Sequence, residues 1–234
     1  MDVLIGFGVI LLAYLVGSIP FGLIVVKLST GRDLRSIESG RTGGTNAMRA
    51  AGAWAGLVTG IFDVVKGALA VWLTKWLISG AHVWVQILAP VAAIIGHNYS
   101  VFLRERNEKG RWRLRGGAGG APCLGGSIGL WAPSALFIIP LGLAVWYFVG
   151  YASLTTLSIA LTSVFVFAVR AWFIGSPAAP WEYVIYGVLS LMALAYALRP
   201  NISRLMRGNE RLVGLRARLK SRKEGHSPSS SSSQ

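Results

Sequence analysis

The sequence predicts an all-α, polytopic membrane bundle of about seven transmembrane helices, with the N-terminus outside and the C-terminus in the cytoplasm. Three observations predict it. The chain of 234 residues is 53% hydrophobic, with a mean hydropathy of +0.56. Its apolar residues fall in blocks, roughly 3–26, 53–78, 82–103, 119–132, 135–150, 154–174 and 182–198, and ~20 helical residues suffice to cross a hydrocarbon core ~30 Å thick. Finally, 20 of the 23 Lys and Arg residues sit in three segments that an odd number of crossings brings to one face. The positive-inside bias makes that face cytoplasmic.

The first block, Val3 to Val26, follows Met1-Asp2 without a basic stretch and is too long for a signal peptide, so it stays as a helix. Lys27, Arg32, Arg35, Arg41 and Arg49 come after it, and Arg104, Arg106, Lys109, Arg111, Arg113 and Arg115 come after the third block. The stretch 119–150 exceeds one straight crossing, and Ala132-Pro133-Ser134 supplies a break. Fused into one span, it would send the last basic run, Arg199 to Lys223, to the other side. Residues 1–208 then form the membrane domain, and 209–234 a basic, then Ser-rich cytoplasmic tail that reads as disordered from His226 to Gln234. The formal charge of +14 sits between and after apolar blocks, where it sets topology and gives no sign of nucleic acid. Cys123 is the single cysteine, which excludes an intrachain disulfide and leaves a buried, inert thiol as the default.

Chemistry concentrates in the first basic loop, where Ser39, Gly40, Gly43, Gly44, Thr45 and Asn46 precede Arg49. Glycines let backbone amides converge, hydroxyls and Asn46 add hydrogen bonds, and the next helix begins with its positive dipole end. This suits an oxyanion, most naturally phosphate, with Arg49 completing the site. A flexible loop with a Thr or Asn helix cap is the plainer alternative. Asp63 and Lys66 lie three apart in the second block, where an ionisable group costs ~2.5–3.5 kcal/mol. They pair structurally or act directly. His97 sits at the end of the third block as either an interfacial histidine or a site residue. Gly116 and Gly117 belong to a second glycine-rich turn that enters the fourth block and could hold another phosphate, or could merely permit close helix packing. The three histidines are far apart and acidic residues total nine, so neither a metal nor a cofactor is called for.

In order along the chain stand Gly17-Ser18-Ile19-Pro20-Phe21-Gly22, Ser39-Gly40 with Gly43-x-Thr45-Asn46-x-x-Arg49, and Asp63-x-x-Lys66-Gly67. Gly96-His97-x-Tyr99-Ser100-x-Phe102-Leu103 and Asn201-Ile202-x-Arg204-Leu205-x-x-Gly208 follow. This ordered set resembles the PlsY family of bacterial membranes, the acyl-phosphate:glycerol-3-phosphate acyltransferases, over positions 17–210. The resemblance implies a seven-helix enzyme of the cytoplasmic membrane, active on its cytoplasmic face, at the first step of phospholipid synthesis. It would transfer an acyl group from acyl phosphate to the 1-hydroxyl of glycerol 3-phosphate, giving lysophosphatidic acid and phosphate. Its partners would be those two substrates and membrane lipids, with no nucleic acid and no obligate protein partner.

The resemblance also implies roles for residues: Ser39 and Arg49 in catalysis, and Gly43, Thr45, Asn46, His97, Gly116, Gly117 and Asn201 in holding substrate or phosphate. Three positions depart from the family pattern. A Gly-Gly-Lys-Gly turn becomes Gly116-Gly117-Ala118-Gly119, a histidine three residues before Asn201 becomes Leu198, and an asparagine after Ser-Gly becomes Arg41. Arg41, Arg113 and Arg115 are the candidates to replace the missing charge. The departures leave two other readings open, the same chemistry on another hydroxyl acceptor and a noncatalytic protein that binds anions or lipid.

Overall fold

A computed structural model describes residues 2–78, 82–106, 110–175 and 180–225; Lys109 and the Ser-rich stretch from His226 lie outside them. Among the described residues ten α-helices carry the fold: α1 (Asp2–Ser18), α2 (Phe21–Thr30), α3 (Gly44–Ala51), α4 (Ala53–Leu77), α5 (Val83–Asn98), α6 (Gly120–Leu130), α7 (Ala135–Ala144), α8 (Ala152–Ile174), α9 (Glu182–Met206) and α10 (Gly214–Gly225). Among the same residues five helical stretches are long and apolar enough to cross a membrane: Val3–Thr30, Ala53–Leu77, Ala132–Val149, Ala152–Ile174 and Glu182–Met206. With 16 residues α5 is a shorter apolar helix, and α6 has only 11.

Several boundaries differ from the sequence reading for local reasons. The first block divides at Ile19-Pro20 because proline cannot donate to the helical ladder. The third ends at Asn98, not 103, because Ser100–Arg106 forms strand β1, paired antiparallel with β2 (Trp112–Arg115). β2 alternates Trp112 and Leu114 with Arg113 and Arg115, and Arg104 and Arg106 of β1 lie over the Trp112 ring. An all-α expectation had no place for this hairpin. The break in 119–150 falls at Trp131–Ser134 as expected, and α7 passes into a π-helical segment, Val145–Val149, before Gly150.

Helix directions follow from the contacts. Gly6 approaches Val85, and a Cβ on Gly17 would lie 2.2 Å from Ala93 O, so α1 and α5 run parallel. Tyr183 bonds Gln86 and Tyr196 meets Tyr99, so α9 runs with them. The helices α4 and α6 run the other way, with Gly67 on Pro122, Gly125 on Val64 and Gly129 on Val71. Antiparallel to α9, α8 packs Val164 against Gly187 and Phe167 against Tyr183. The loop after α2, the hairpin and the end of α9 therefore gather at one end of the bundle. Exposed Trp76, Trp84, Trp172 and Trp181 cluster at the other, as aromatic residues do at a membrane boundary.

Beyond position 208 the chain is still packed on the bundle. Glu210 and Val213 are buried, Leu212 bridges Tyr151, and Gly214 lies against Trp146 O. Apolar side chains also cover much of the exterior: Leu57, Ile61, Leu136, Phe165 and Met192 are each more than half exposed. Inside, Ile94, Cys123, Phe167, Tyr186 and Leu194 form the main cluster, with Tyr186 Oη donating to Cys123 O at 2.7 Å.

The α4–α6 contact tests this packing most simply, because a Cβ on Gly125 would lie 1.9 Å from Val64 O. Overpacking of this kind costs about 1–3 kcal/mol. Gly125→Val is expected to lower the melting temperature in detergent, read by a thiol-reactive fluorophore that reaches the buried Cys123 only on unfolding.

Candidate active site

The loop between α2 and α3 is shaped by its own polar groups. Asp33 caps a short 3-10 turn and pairs with Arg35 at 2.6 Å, so its carboxyl is lowered to about 2. Asn46, buried at the start of α3, donates through Nδ2 to Leu34 O, Ile37 O and Arg41 O at 3.3, 3.0 and 2.9 Å. Its amide thus folds the loop onto the helix start. Gly43 at the N-cap offers no side chain to α3, so the first amides of that helix remain available to an anion.

That helix start opens into a cavity of about 350 Å³. Ser39, Gly43, Thr45, Asn46 and Arg49 line it from the loop and α3, His97 from α5, and Leu198 and Asn201 from α9. The second glycine-rich turn contributes Ala118 and Gly119. Gly116 and Gly117, expected to face the same space, stand behind it. Gly117 N–H donates to His97 O at 2.8 Å, and a Cβ there would lie 1.9 Å from His97 Nε2. These glycines let the turn lie edge-on against the histidine. Gly119 has φ +86°, which a glycine adopts at little steric cost.

Beneath the cavity, three helices meet at one ammonium. Lys66 Nζ is 2.8 Å from Asp63 Oδ1, 2.9 Å from His97 Nδ1 and 3.0 Å from Ile19 O, with Lys66 only 2% exposed. The Asp63 contact is a close charge pair rather than a well-directed hydrogen bond. An ammonium has three protons and no lone pair, so His97 Nδ1 accepts and the imidazole proton sits on Nε2. Asp63 and His97 both reach the cavity wall. Both Asp63 carboxylate oxygens are nevertheless buried, so the pair is structural.

Among the three arginines that could replace the missing family charge, one reaches. Arg41 Nη1 donates to Gly117 O at 2.8 Å, and its Nη2 donates to Ala197 O at 2.7 Å and Asn201 Oδ1 at 3.1 Å. It bridges the residues next to Ala118 and Leu198, where the lysine and histidine of the pattern are absent. Arg113 and Arg115 do not line this cavity. Burial, then nearby Arg204, lowers the Arg41 pKa from its ordinary value. Burial lowers Arg49 likewise, with Glu38 opposing. Arg49 Nη2 also lies 3.5 Å from Leu212 O, at the long limit of a hydrogen bond.

Other wall residues carried no motif of their own. Ser153, Thr155 and Thr156 come from α8, and Glu210 binds Ser153 Oγ at 2.5 Å and Asn201 Nδ2 at 3.3 Å. Arg211 pairs with Glu38, whose φ of +51° is unusual for a non-glycine residue. The sequence reading missed Glu210, and the scarcity of acids, nine in the chain, is the signal that could have found it.

The fold and cavity define an integral membrane protein with an arginine-lined chamber at one end of its bundle. Residues 7–208 match the family described as glycerol-3-phosphate acyltransferase. Glycerol-3-phosphate acyltransferase 3 of Dehalococcoides mccartyi is 36% identical over 225 residues, covering 90% of this chain and 96% of the relative. The glycerol-3-phosphate acyltransferase of Thermus thermophilus is 36% identical over 208 residues, covering 89% and 95%. The crystal structure of PlsY, an integral membrane glycerol 3-phosphate acyltransferase, in its glycerol 3-phosphate form superposes with a TM-score of 0.74 at 29% identity, covering 92% of this chain and 98% of that one. The chain belongs to the glycerol-3-phosphate acyltransferase family.

Lys66→Met should leave Asp63 as a buried, uncompensated charge, at a cost of about 3–5 kcal/mol. The melting temperature should fall sharply, and Asp63→Asn added to Lys66→Met should recover part of the loss.

Proposed function

We propose that this protein acylates glycerol 3-phosphate at its 1-hydroxyl, using an acyl phosphate as donor, and releases lysophosphatidic acid and phosphate. One observation carries the reading. Arg49, the open amides of α3, Arg41 and Asn201 converge on a single cavity large enough for two small phosphorylated groups. The acyl phosphate is already an activated mixed anhydride. Its phosphoryl group would rest on Ser39, Gly43, Thr45 and Arg49, while Asn201 and Arg41 hold the acceptor. The hydroxyl oxygen attacks the acyl carbon, the bond from that carbon to the phosphate oxygen breaks, and the hydroxyl proton passes to the departing phosphate. Positioning and charge stabilisation supply the catalysis, so no protein nucleophile is needed.

In the same reading, Asn46 acts by folding the loop and Gly116 and Gly117 act by seating His97, whose Nε2 proton is available to a phosphoryl oxygen. The bundle crosses the bacterial cytoplasmic membrane seven times, counting α6 and α7 as separate short passages. The N-terminus is then outside and the active face cytoplasmic. Support comes from the three basic segments, which share the cavity's end while α1 begins at the other.

Purified protein should release phosphate from acyl phosphate only when glycerol 3-phosphate is present, and Arg49→Ala should reduce this at least a hundredfold. Release independent of glycerol 3-phosphate, or no release, would overturn the reading. A charged hydrogen bond is worth about 1.5–3 kcal/mol, or roughly tenfold to a hundredfold in affinity. Arg41→Ala should therefore raise the KM for glycerol 3-phosphate by that factor. Ala118→Lys should restore activity in the Arg41→Ala background while adding nothing to the wild type.

A further inference from the structure

Behind Arg41 lies a second cavity of about 580 Å³, between strand β2 and the end of α9. Its wall carries Arg41, Arg113, Arg115, Arg199 and Arg204, and among the described residues no carboxylate lines it. The first cavity, in contrast, includes Glu38, Asp63 and Glu210. Glu105 pairs with Arg115, and Arg199 rests over the Tyr196 ring and donates to Tyr196 O, which leaves its charge uncompensated. Five arginines around a cavity that no carboxylate among the described residues lines call for a ligand that is anionic and rich in acceptor oxygens.

We propose that this second cavity is a separate site for a phosphate monoester or inorganic phosphate, and that its occupancy weakens substrate binding in the first. The tetrahedral phosphoryl group matches guanidinium geometry better than a carboxylate would, because several arginines approach it from different sides. The volume exceeds that of one phosphate, so a headgroup with a polar body fits as well. Coupling follows from shared walls. Ser39, Arg41 and Arg204 line both cavities, and a dianion beside Arg41 and Arg204 offsets the field that would hold the acceptor's phosphate. Burial first, then crowding by Arg204 and Arg113, lowers the pKa of Arg41. Both products of the proposed reaction carry a phosphoryl group, which makes the site a point of product feedback. The inhibition rests on the acyl-transfer reading, whereas the binding does not.

Calorimetric titration of the full chain with inorganic phosphate in an uncharged detergent should show binding in both cavities. Arg113→Ala/Arg199→Ala alters only the second cavity and should remove one site, while Arg49→Ala should weaken binding in the first cavity and keep that site. In turnover, phosphate should raise the KM for glycerol 3-phosphate about fivefold more in the wild type than in the double variant, within the usual range of coupling between sites. The double variant should show only competitive inhibition. Nanodiscs doped with phosphatidic acid, compared with phosphatidylcholine alone, separate the sources. Inhibition by the doped discs that the double variant lacks assigns the site to a lipid headgroup, and the same loss with free phosphate alone assigns it to the ion. The same number of phosphate sites in the double variant as in the wild type, with its Cys123-monitored melt intact, overturns the proposal. A protein without turnover would refute the acyl-transfer reading and still report the number of phosphate sites.

Discussion

The ammonium of Lys66 organises this molecule. It lies inside an apolar bundle and takes acceptors from three helical segments: a carboxylate on α4, an imidazole on α5 and the carbonyl at the α1–α2 break. A charge so deeply buried is tolerated only with its partners in place. The break at Pro20 therefore has a structural use, because it turns the Ile19 carbonyl toward the ammonium. Phe21 adds its ring face 5.6 Å from Nζ and stacks on Phe62. What binds the helices together also sets the histidine tautomer and the seat of the Gly117 turn, so the chamber wall inherits its geometry from a buried ion contact.

Above that hub the site is built from cations and backbone amides with few fixed anions near the helix start. Arg41 shows how such a site can be rebuilt after substitutions. Its reach extends from the loop to both places where the family pattern has other charged or polar side chains, and its three bonds tie the glycine turn to α9. A planar guanidinium can serve several acceptors at once, which an ammonium at position 118 could not do from the same direction. Ala118 and Leu198 are thus read together with Arg41, as one change in three places. In the proposed function the result is still a phosphate grip, assembled from a different side.

Close packing explains why this polar chamber survives at the end of an apolar bundle. Small residues on α4 and α6 let the backbones approach to contact, as at Gly67 on Pro122 and Gly125 on Val64, since packing rather than water expulsion drives helix association in lipid. Ser127 and Ser163 share a buried hydrogen bond at 2.8 Å between α6 and α8. These short contacts fix α6, only 11 residues long, so that the turn before it meets the first basic loop, where Thr42 N–H donates to Gly116 O. The glycine turn then reaches His97 and Arg41 in a single step.

Much was legible in the sequence because lipid imposes simple rules. Long apolar blocks, a proline-containing break at 131–134, basic segments on one face and a glycine-rich loop beside Arg49 all follow from hydropathy, charge and backbone sterics. The hairpin at 100–115, the division at Ile19-Pro20 and the inclusion of Glu210 and Val213 in the bundle do not, because each depends on contacts distant along the chain. The same holds for direction: three arginines could replace the missing charge, and only tertiary packing placed Arg41 between Gly117 and Asn201. Local chemistry fixes which residue types can hold a phosphate, whereas side-chain reach is set by helices dozens of residues apart. Sequence alone therefore determined the membrane bundle and its glycine-rich basic loop, and the tertiary structure decided which groups close the chamber.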